Sequence, residues 1–435
     1  MPGVLGAVAA AIGNAGANIG NIQAVYLSQH HVVRDIDVYV RDHAHIQRVL
    51  RDIGAVYDVE VTEVRDEVLA LHVGGKIRMV SPHSVDSIAT LRKVYTPGVA
   101  DVSKRIHAEP RAARTYTAIS NMVAIVTDGT AVLGLGNVGG LAAMPVMEGK
   151  AALLSQLGDV SGIPILLDTT VPDEIVASVK HIAPTFGGIH LEGIAAPRCF
   201  EITERLQAEL DTPVMHDDQH GTAAVVLGAA LSAVRMCQMD LGKVKIGQIG
   251  FGAAGQTIAD PLMHVTGNPV MGADIREAGR QRHASHGGLP AEMSEIMAKA
   301  DIVIATTGVK GLIKPEMVRR GQVVLALSNP EPEIEPAAAM AAGAMLATDG
   351  RSVNNLFGYP GIWRGSLAAH ARKINRDMLI ALGQAIAAMG PASELLPNPL
   401  DRAVHQRLAH AVGKAAVASG VGEDSKDLEE LEPTP

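Results

Sequence analysis

Between about residues 73 and 235 the chain repeats one pattern, an apolar run ending in an acid or glycine and then a stretch with helical spacing. MVAIVTD, IPILLD, GGIHLEG and PVMHDD are the runs. Buried strands joined by helices predict a parallel sheet with crossover connections. Such sheets collect ligands at the carboxyl ends of their strands, where these acids stand. The rhythm resumes at 236 with VKIGQIGFG, NPVMGAD, DIVIATTG and VVLALSNP, a second α/β domain whose C-terminal helices run to about 415. Ahead of both, residues 3 to 15 and HAHIQRVLRDI carry helical spacing, while VRDIDVYVR and AVYDVEVTEV alternate like strands. Residues 1–72 are therefore expected to form a small α+β lobe.

The longest apolar run, GTAAVVLGAALSAV from Gly221, is about 14 residues, too short to span a bilayer. It predicts a buried helix. The N-terminal apolar stretch lacks the basic flank of a signal peptide. With 435 residues, 47% hydrophobic, the chain can build large cores, and a net charge of -9 without a Lys/Arg cluster argues against nucleic acid. Much of that charge lies in GEDSKDLEELEPTP, six acids against one lysine, so 416–435 reads as an acidic, disordered tail. Two cysteines, Cys199 and Cys237, give no disulfide framework and fit a reducing cytoplasm, where they read as small buried apolar residues.

Two stretches contain G-x-G-x-x-G, TDGTAVLGLGNVGG at 127–140 and IGQIGFGAAGQ at 246–256. A dinucleotide fold needs the motif between a strand and a helix, with an acid roughly 20 residues on to bind ribose hydroxyls. Gly250, Gly252 and Gly255 meet the condition, with Ala253 and Ala254 opening the helix and Asp274 closing the next strand about 24 residues after the first glycine. The motif is therefore expected to be the Rossmann-type NAD site. Asp274 favours NAD over NADP by repelling a 2′-phosphate, although Arg276 and Arg280 could neutralise that group. In the first motif the next strand-ending acid, Asp168, is about 34 residues from Gly134, and Pro145 falls inside the following helix. Gly134, Gly136 and Gly139 then serve a tight turn or a close approach of the backbone to another group.

VYTPGVADVSKRI, TDGTAVLGLGNVGGLAAMPVMEGKAALL, APTFGGIHLEGIAAPRCFEI, PVMHDDQHGTAAVVLGAAL, LSNPEPEI and VNNLFGYPGIWRG follow in that order over about 75 to 415. Together they closely resemble the malic enzymes, in particular the small bacterial type. The resemblance implies a malic-enzyme-like substrate domain (73–235) before the Rossmann-type domain (236–415). It further implies oxidation of malate by NAD or NADP and decarboxylation of the oxaloacetate to pyruvate with Mg²⁺ or Mn²⁺. Carried over by motif, Tyr95 is similar to the acid that protonates enolpyruvate, Lys150 to the base for the malate hydroxyl, and Asp217 to the catalytic aspartate. Glu192, Asp217 and Asp218 match metal-site carboxylates, and Asn329, Asn354 and Asn355 the substrate-holding asparagines, Asn329 also lying beside the cofactor. The family forms dimers and tetramers, so a homo-oligomer is expected. PGVLGAVAAAIGNAGANIGNI and the strand-helix-strand pattern after it resemble an ACT domain, a regulatory module that binds small effectors. In that family a strand comes before the Pro-Gly, whereas here the chain starts at Met1 and Pro2.

The chemistry agrees with these assignments. A lysine works as a base near neutral pH when burial or a nearby cation depresses its pKa, and MPVMEGKAALL is an apolar setting. Mg²⁺ and Mn²⁺ prefer hard oxygen ligands such as carboxylates at strand ends. Two departures stand out. Glu192-Gly193 replaces the usual Glu-Asp and removes a carboxylate, which predicts weaker metal binding. GRSVNN at 350–355 is contracted, which predicts a shifted loop at Asn354 and Asn355. They leave open an NAD-binding regulator with little or no turnover. Malolactic chemistry, using bound NAD and releasing lactate, is a further alternative. HDDQH puts two histidines four apart, as in zinc helices, but TPVM before it reads as a strand end and the second residue is Asp rather than Glu.

Overall fold

In the computed structural model of the chain, described for residues 3–28, 30–132, 134–391 and 393–432, two compact units part between Gly74 and Gly75. The first holds a helix Val4–Asn14, an antiparallel pair β1 (Asn18–Leu27) and β2 (Val32–Tyr39), and a helix His43–Gly54. Asp42 caps that second helix by accepting from the His45 amide. Val8, Ile12, Ala17 and Val49 form its core. AVYDVEVTEV, expected as a strand, instead leaves the helix through a turn and joins no ladder. Alternation marks an amphipathic extended segment; a strand also needs a partner to bond. Met1 and Pro2, where the ACT-like pattern meets the start of the chain, lie outside the described residues.

The second unit carries two parallel sheets. One has the order β4-β3-β5-β6, from β3 (Met122–Thr127), β4 (Ser161–Leu166), β5 (Gly188–Leu191) and β6 (Val214–His216). The other is ordered β12-β11-β10-β7-β8-β9, from β7 (Ile246–Ile249), β8 (Met271–Ala273), β9 (Leu289–Pro290), β10 (Ile302–Ala305), β11 (Val323–Ala326) and β12 (Leu346–Asp349). Read from its far edge this is the doubly wound order, reversing direction between β7 and β10. The apolar run becomes the helix Thr222–Met236, buried along nearly its whole length. It packs on the helices Arg376–Met389 and Ala253–Thr266. Its core cluster takes in Val123 and Ile125 of β3 as well as Ile246, Ile302 and Ile304 of the second sheet. One core therefore fixes both sheets, and with them the two sets of strand ends.

The acidic tail is not disordered over its described part, which corrects the reading from charge. The Glu423 amide donates to the Ala369 carbonyl at 2.7 Å, Ser425 caps the short helix Lys426–Glu429, and Leu428 and Leu431 are buried. Its acids face solvent while its leucines dock. Cys199 is buried and Cys237 half-buried, both as free thiols, and burial pushes the Cys199 thiol up to about 12. Among the described residues no helix is long and apolar enough to cross a membrane.

Candidate active site

At the carboxyl ends of β5 and β6 the chain gathers charge. Glu192 follows β5, and the chain after β6 makes one π-helical turn, Asp217–Gly221, before the buried helix begins. Such turns are rare and tend to mark functional sites. Lys150 comes from the helix Gly139–Gly158. Its Nζ lies 3.2 Å from Glu192 Oε2, is bonded to Asp217 Oδ2, and sits 4.6 Å above the centre of the Tyr359 ring. Asn355 Nδ2 donates to the same Asp217 oxygen at 2.6 Å. His190 Nε2 lies 3.0 Å from Glu192 Oε2.

The first glycine loop sets the lysine in place. A Cβ at Gly129 would fall 2.1 Å from the Gly139 carbonyl carbon, so the loop closes only with glycine there. The amides of Val138 and Gly139 both donate to the Gly129 carbonyl, and Val132 pairs with Gly136 across the tight turn. The motif is thus a turn that launches the lysine-bearing helix, as its poor nucleotide context implied. Pro145 is accommodated inside that helix.

The electrostatics correct one expectation. Burial alone would lower the Lys150 pKa, but the negative charges of Asp217 and Glu192 outweigh it and hold the ammonium well above the ordinary lysine range. Lysine amid carboxylates is an acid in waiting until some of their charge is taken up elsewhere. Burial likewise pushes Glu192 up, yet Lys150 and the His190 hydrogen bond bring it down to about 2. Asp218 has a side chain 37% exposed, and its partial burial and the negative charges of Glu192 and Asp217 raise it to about 7. Three carboxylates against one lysine leave an excess of negative charge, and Asp217 Oδ1 is buried without a partner. An oxygen-rich, negatively charged site with an unpaired carboxylate oxygen fits a hard divalent cation.

Other expected residues fall elsewhere. Tyr95 ends the helix Ile88–Val94 with 67% of its surface exposed, and its hydroxyl makes no bond to the lysine cluster. Asn354 turns away to cap the short helix Asn355–Phe357, its Oδ1 accepting from the Leu356 amide. Asn329, after β11, donates to the Gly350 carbonyl at 3.1 Å and so ties its loop to the contracted 350–355 segment. His220 bonds the His216 backbone through Nδ1, so the HDDQH pair does not converge as zinc ligands would. Sequence reasoning missed Tyr359, His190 and Trp363. The first and last stood in plain view in VNNLFGYPGIWRG, but only the fold brings them to β5.

The second site lies across the switch point between β7 and β10. Gly250, Gly252, Asp274, Arg276, Arg280 and Thr306 are among the residues lining a cavity of about 610 Å³. A Cβ at Gly255 would stand 1.9 Å from the Gly250 carbonyl oxygen, whereas nothing lies within 4 Å of that position at Gly252. One glycine lets the helix meet the strand, and the other leaves the N-terminus of the helix at Ala253 and Ala254 open to an anion. Asp274 accepts from the Phe251 amide at 2.5 Å and the Arg276 amide at 2.7 Å; these bonds offset burial and hold its carboxyl below the ordinary range. Arg280 donates to the Asp274 carbonyl. This open glycine turn and its acid fit a dinucleotide.

Comparison with known proteins gives the same outline. Residues 76–207 match the family model described as malic enzyme, N-terminal domain, and residues 1–63 match the ACT domain. The chain is 54% identical to NAD-dependent malic enzyme 1 of Bacillus subtilis over 96% of each protein. It is 40% identical to the bifunctional malic/malolactic enzyme of the same organism, over 85% of this chain and 97% of that one. Among solved structures, the malic enzyme of Pyrococcus horikoshii superposes with a TM-score of 0.76 at 37% identity, covering 82% of this chain and 90% of that one.

Proposed function

The chain belongs to the malic enzyme family, and from that premise we propose that it oxidises L-malate with NAD and decarboxylates the product to pyruvate and CO₂, dependent on a divalent cation. The observation that carries the reading is Lys150, largely buried at the strand ends between Glu192 and Asp217, in the same compact unit as a glycine turn suited to a dinucleotide.

The reaction needs one proton removed from the malate hydroxyl and one returned to the enolate carbon, so proton carriers must stand on the substrate. Lys150 takes the hydroxyl proton as hydride leaves C2. Asn355 and Lys150 share one oxygen of Asp217, which fixes that carboxylate, while its Oδ1 is buried without a hydrogen-bond partner. Glu192, Asp217 and Asp218 would hold the cation, which would supply Lewis acidity to the substrate oxygens and offset the charge that keeps Lys150 protonated. The Tyr359 ring under the ammonium keeps Nζ from turning away. Tyr95 carries the role of returning proton donor on family resemblance alone. Asp274, directly after β8 with backbone amides on both carboxylate oxygens, supports NAD over NADP.

Self-association and a small effector at the first lobe belong to the same proposal. The family and the exposed apolar residues Met79, Val80, Ile88 and Leu91 support the former, and the ACT match supports the latter. The scarcity of cysteine supports a cytoplasmic location. The deciding assay is NADH formation from L-malate with Mn²⁺ or chelator, NAD or NADP, and separate detection of pyruvate and lactate. Metal-dependent NADH with pyruvate is expected. Lactate without net NADH would favour the malolactic reading, which the 40% identical bifunctional relative makes the second choice. NAD binding without turnover would overturn both.

A further inference from the structure

We infer that His190 is the positioning residue of the metal-binding carboxylate Glu192, its ring proton fixed on Nε2 by Trp363. The inference rests on the metal site proposed above. Gly188 and His190 share one face of β5, and Glu192, directly after the strand, continues the alternation. Against that face lies the indole of Trp363, so close that a Cβ at Gly188 would fall 2.2 Å from the ring. Its Nε1 donates to His190 Nδ1 at 2.9 Å. An indole N–H can only donate, so Nδ1 must be the accepting nitrogen and the imidazole proton sits on Nε2. That proton points at Glu192 Oε2, 3.0 Å away. Tyr359 meets the imidazole edge-on at 84° with ring centres 5.7 Å apart, so the ring cannot swing out. His190 and Trp363 have no solvent exposure, and Glu192 has little.

His190, Glu192 and Asp217 offer ligand atoms within 4.8 Å of one another and could by distance alone hold a metal together. Bond direction separates the roles. To ligate through Nε2, His190 would have to lose the proton that Trp363 forces there. Instead Oε2 of Glu192 is held by the imidazole N–H and by Lys150. With no carboxylate at Gly193, the orientation of this one glutamate carries more of the site. Outer donors of this kind typically change metal affinity ten- to a hundredfold when removed.

The test is Mn²⁺ binding to the full-length, metal-free protein, read by electron paramagnetic resonance of the free ion, with no turnover needed. His190→Phe is expected to weaken Mn²⁺ affinity about ten- to a hundredfold, and His190→Gln, which keeps an N–H donor, to recover most of the loss. Pulsed spectra of Mn²⁺ bound to the unsubstituted protein should show no coupling to a histidine nitrogen; this arm stands even if His190→Phe fails to fold. A directly coordinated histidine nitrogen, or unchanged affinity in a folded His190→Phe protein, would overturn the positioning role. Absence of Mn²⁺ binding by the unsubstituted protein would sink the underlying metal-site reading and this inference with it.

Discussion

Lys150→Met removes the ammonium paired with both Glu192 and Asp217 and leaves a side chain of similar length. In the metal-free protein Asp217, fully buried, and Glu192, nearly so, then face each other without the ammonium. Removing one partner of a buried pair costs about 3–5 kcal/mol. Asn355 still donates to Asp217 and His190 to Glu192, and either carboxyl can take up a proton, so the lower end, about 3 kcal/mol, is expected. Losing the contact with the Tyr359 ring adds about 0.5–1 kcal/mol. Equilibrium urea unfolding under chelation reads this loss. Mn²⁺ should return part of it by supplying positive charge, but not turnover, which is expected to fall by about 10²–10⁴ for want of the proton carrier. Turnover within tenfold of the unsubstituted enzyme, or an unchanged metal-free midpoint, would refute the reasoning.

Partial burial and the charges of Glu192 and Asp217 raise Asp218 to about 7, so the metal-free protein should hold its proton at pH 6 and release up to about one proton per Mn²⁺ bound, the release fading above about pH 8. Calorimetry in buffers of different ionisation enthalpy checks this, and no release at pH 6 would contradict it. Gly255→Ala places a Cβ 1.9 Å from the Gly250 carbonyl and must shift the turn; NAD affinity, by fluorescence titration, is expected to drop by at least about tenfold with little change in circular dichroism. Leu428→Ala should destabilise the protein by about 2–3 kcal/mol in urea unfolding, where a disordered tail predicts no effect.

The long buried strands were legible because a strand covered on both faces must be apolar throughout, and MVAIVTD, DIVIATTG and VVLALSNP have few other uses. The nucleotide turn was legible because Gly250, Gly255 and Asp274 answer one local geometry within a single β-α-β unit. β1 and β12 escaped notice because NIGNIQAVYL and LATD mix small and polar residues, as exposed or edge strands do. The tail misled through its charge, since two leucines placed to dock outweigh acids that cost nothing in water. Lys150 misled more instructively. Its apolar neighbours in sequence predicted burial correctly, but its pKa follows from Glu192 and Asp217, 42 and 67 residues further along. The Trp363–His190 bond spans 173 residues and leaves no local trace.

Gly193 is the position where these strands of argument meet. Read from sequence, it is a missing carboxylate. In the fold its φ is 62°, a left-handed conformation, and a Cβ there would stand 3.3 Å from Thr127 Oγ1. Its carbonyl accepts from the Ala131 amide at 2.8 Å, and two residues on the Ala195 amide donates to Thr130 Oγ1. These bonds tie the end of β5 to the glycine loop that launches the Lys150 helix. A side chain here would work against that turn, at a backbone cost of about 1–2 kcal/mol. The residue that supplies no ligand therefore joins the segment bearing Glu192 to the segment bearing Lys150, and the spacing between those two groups governs the charge state of both.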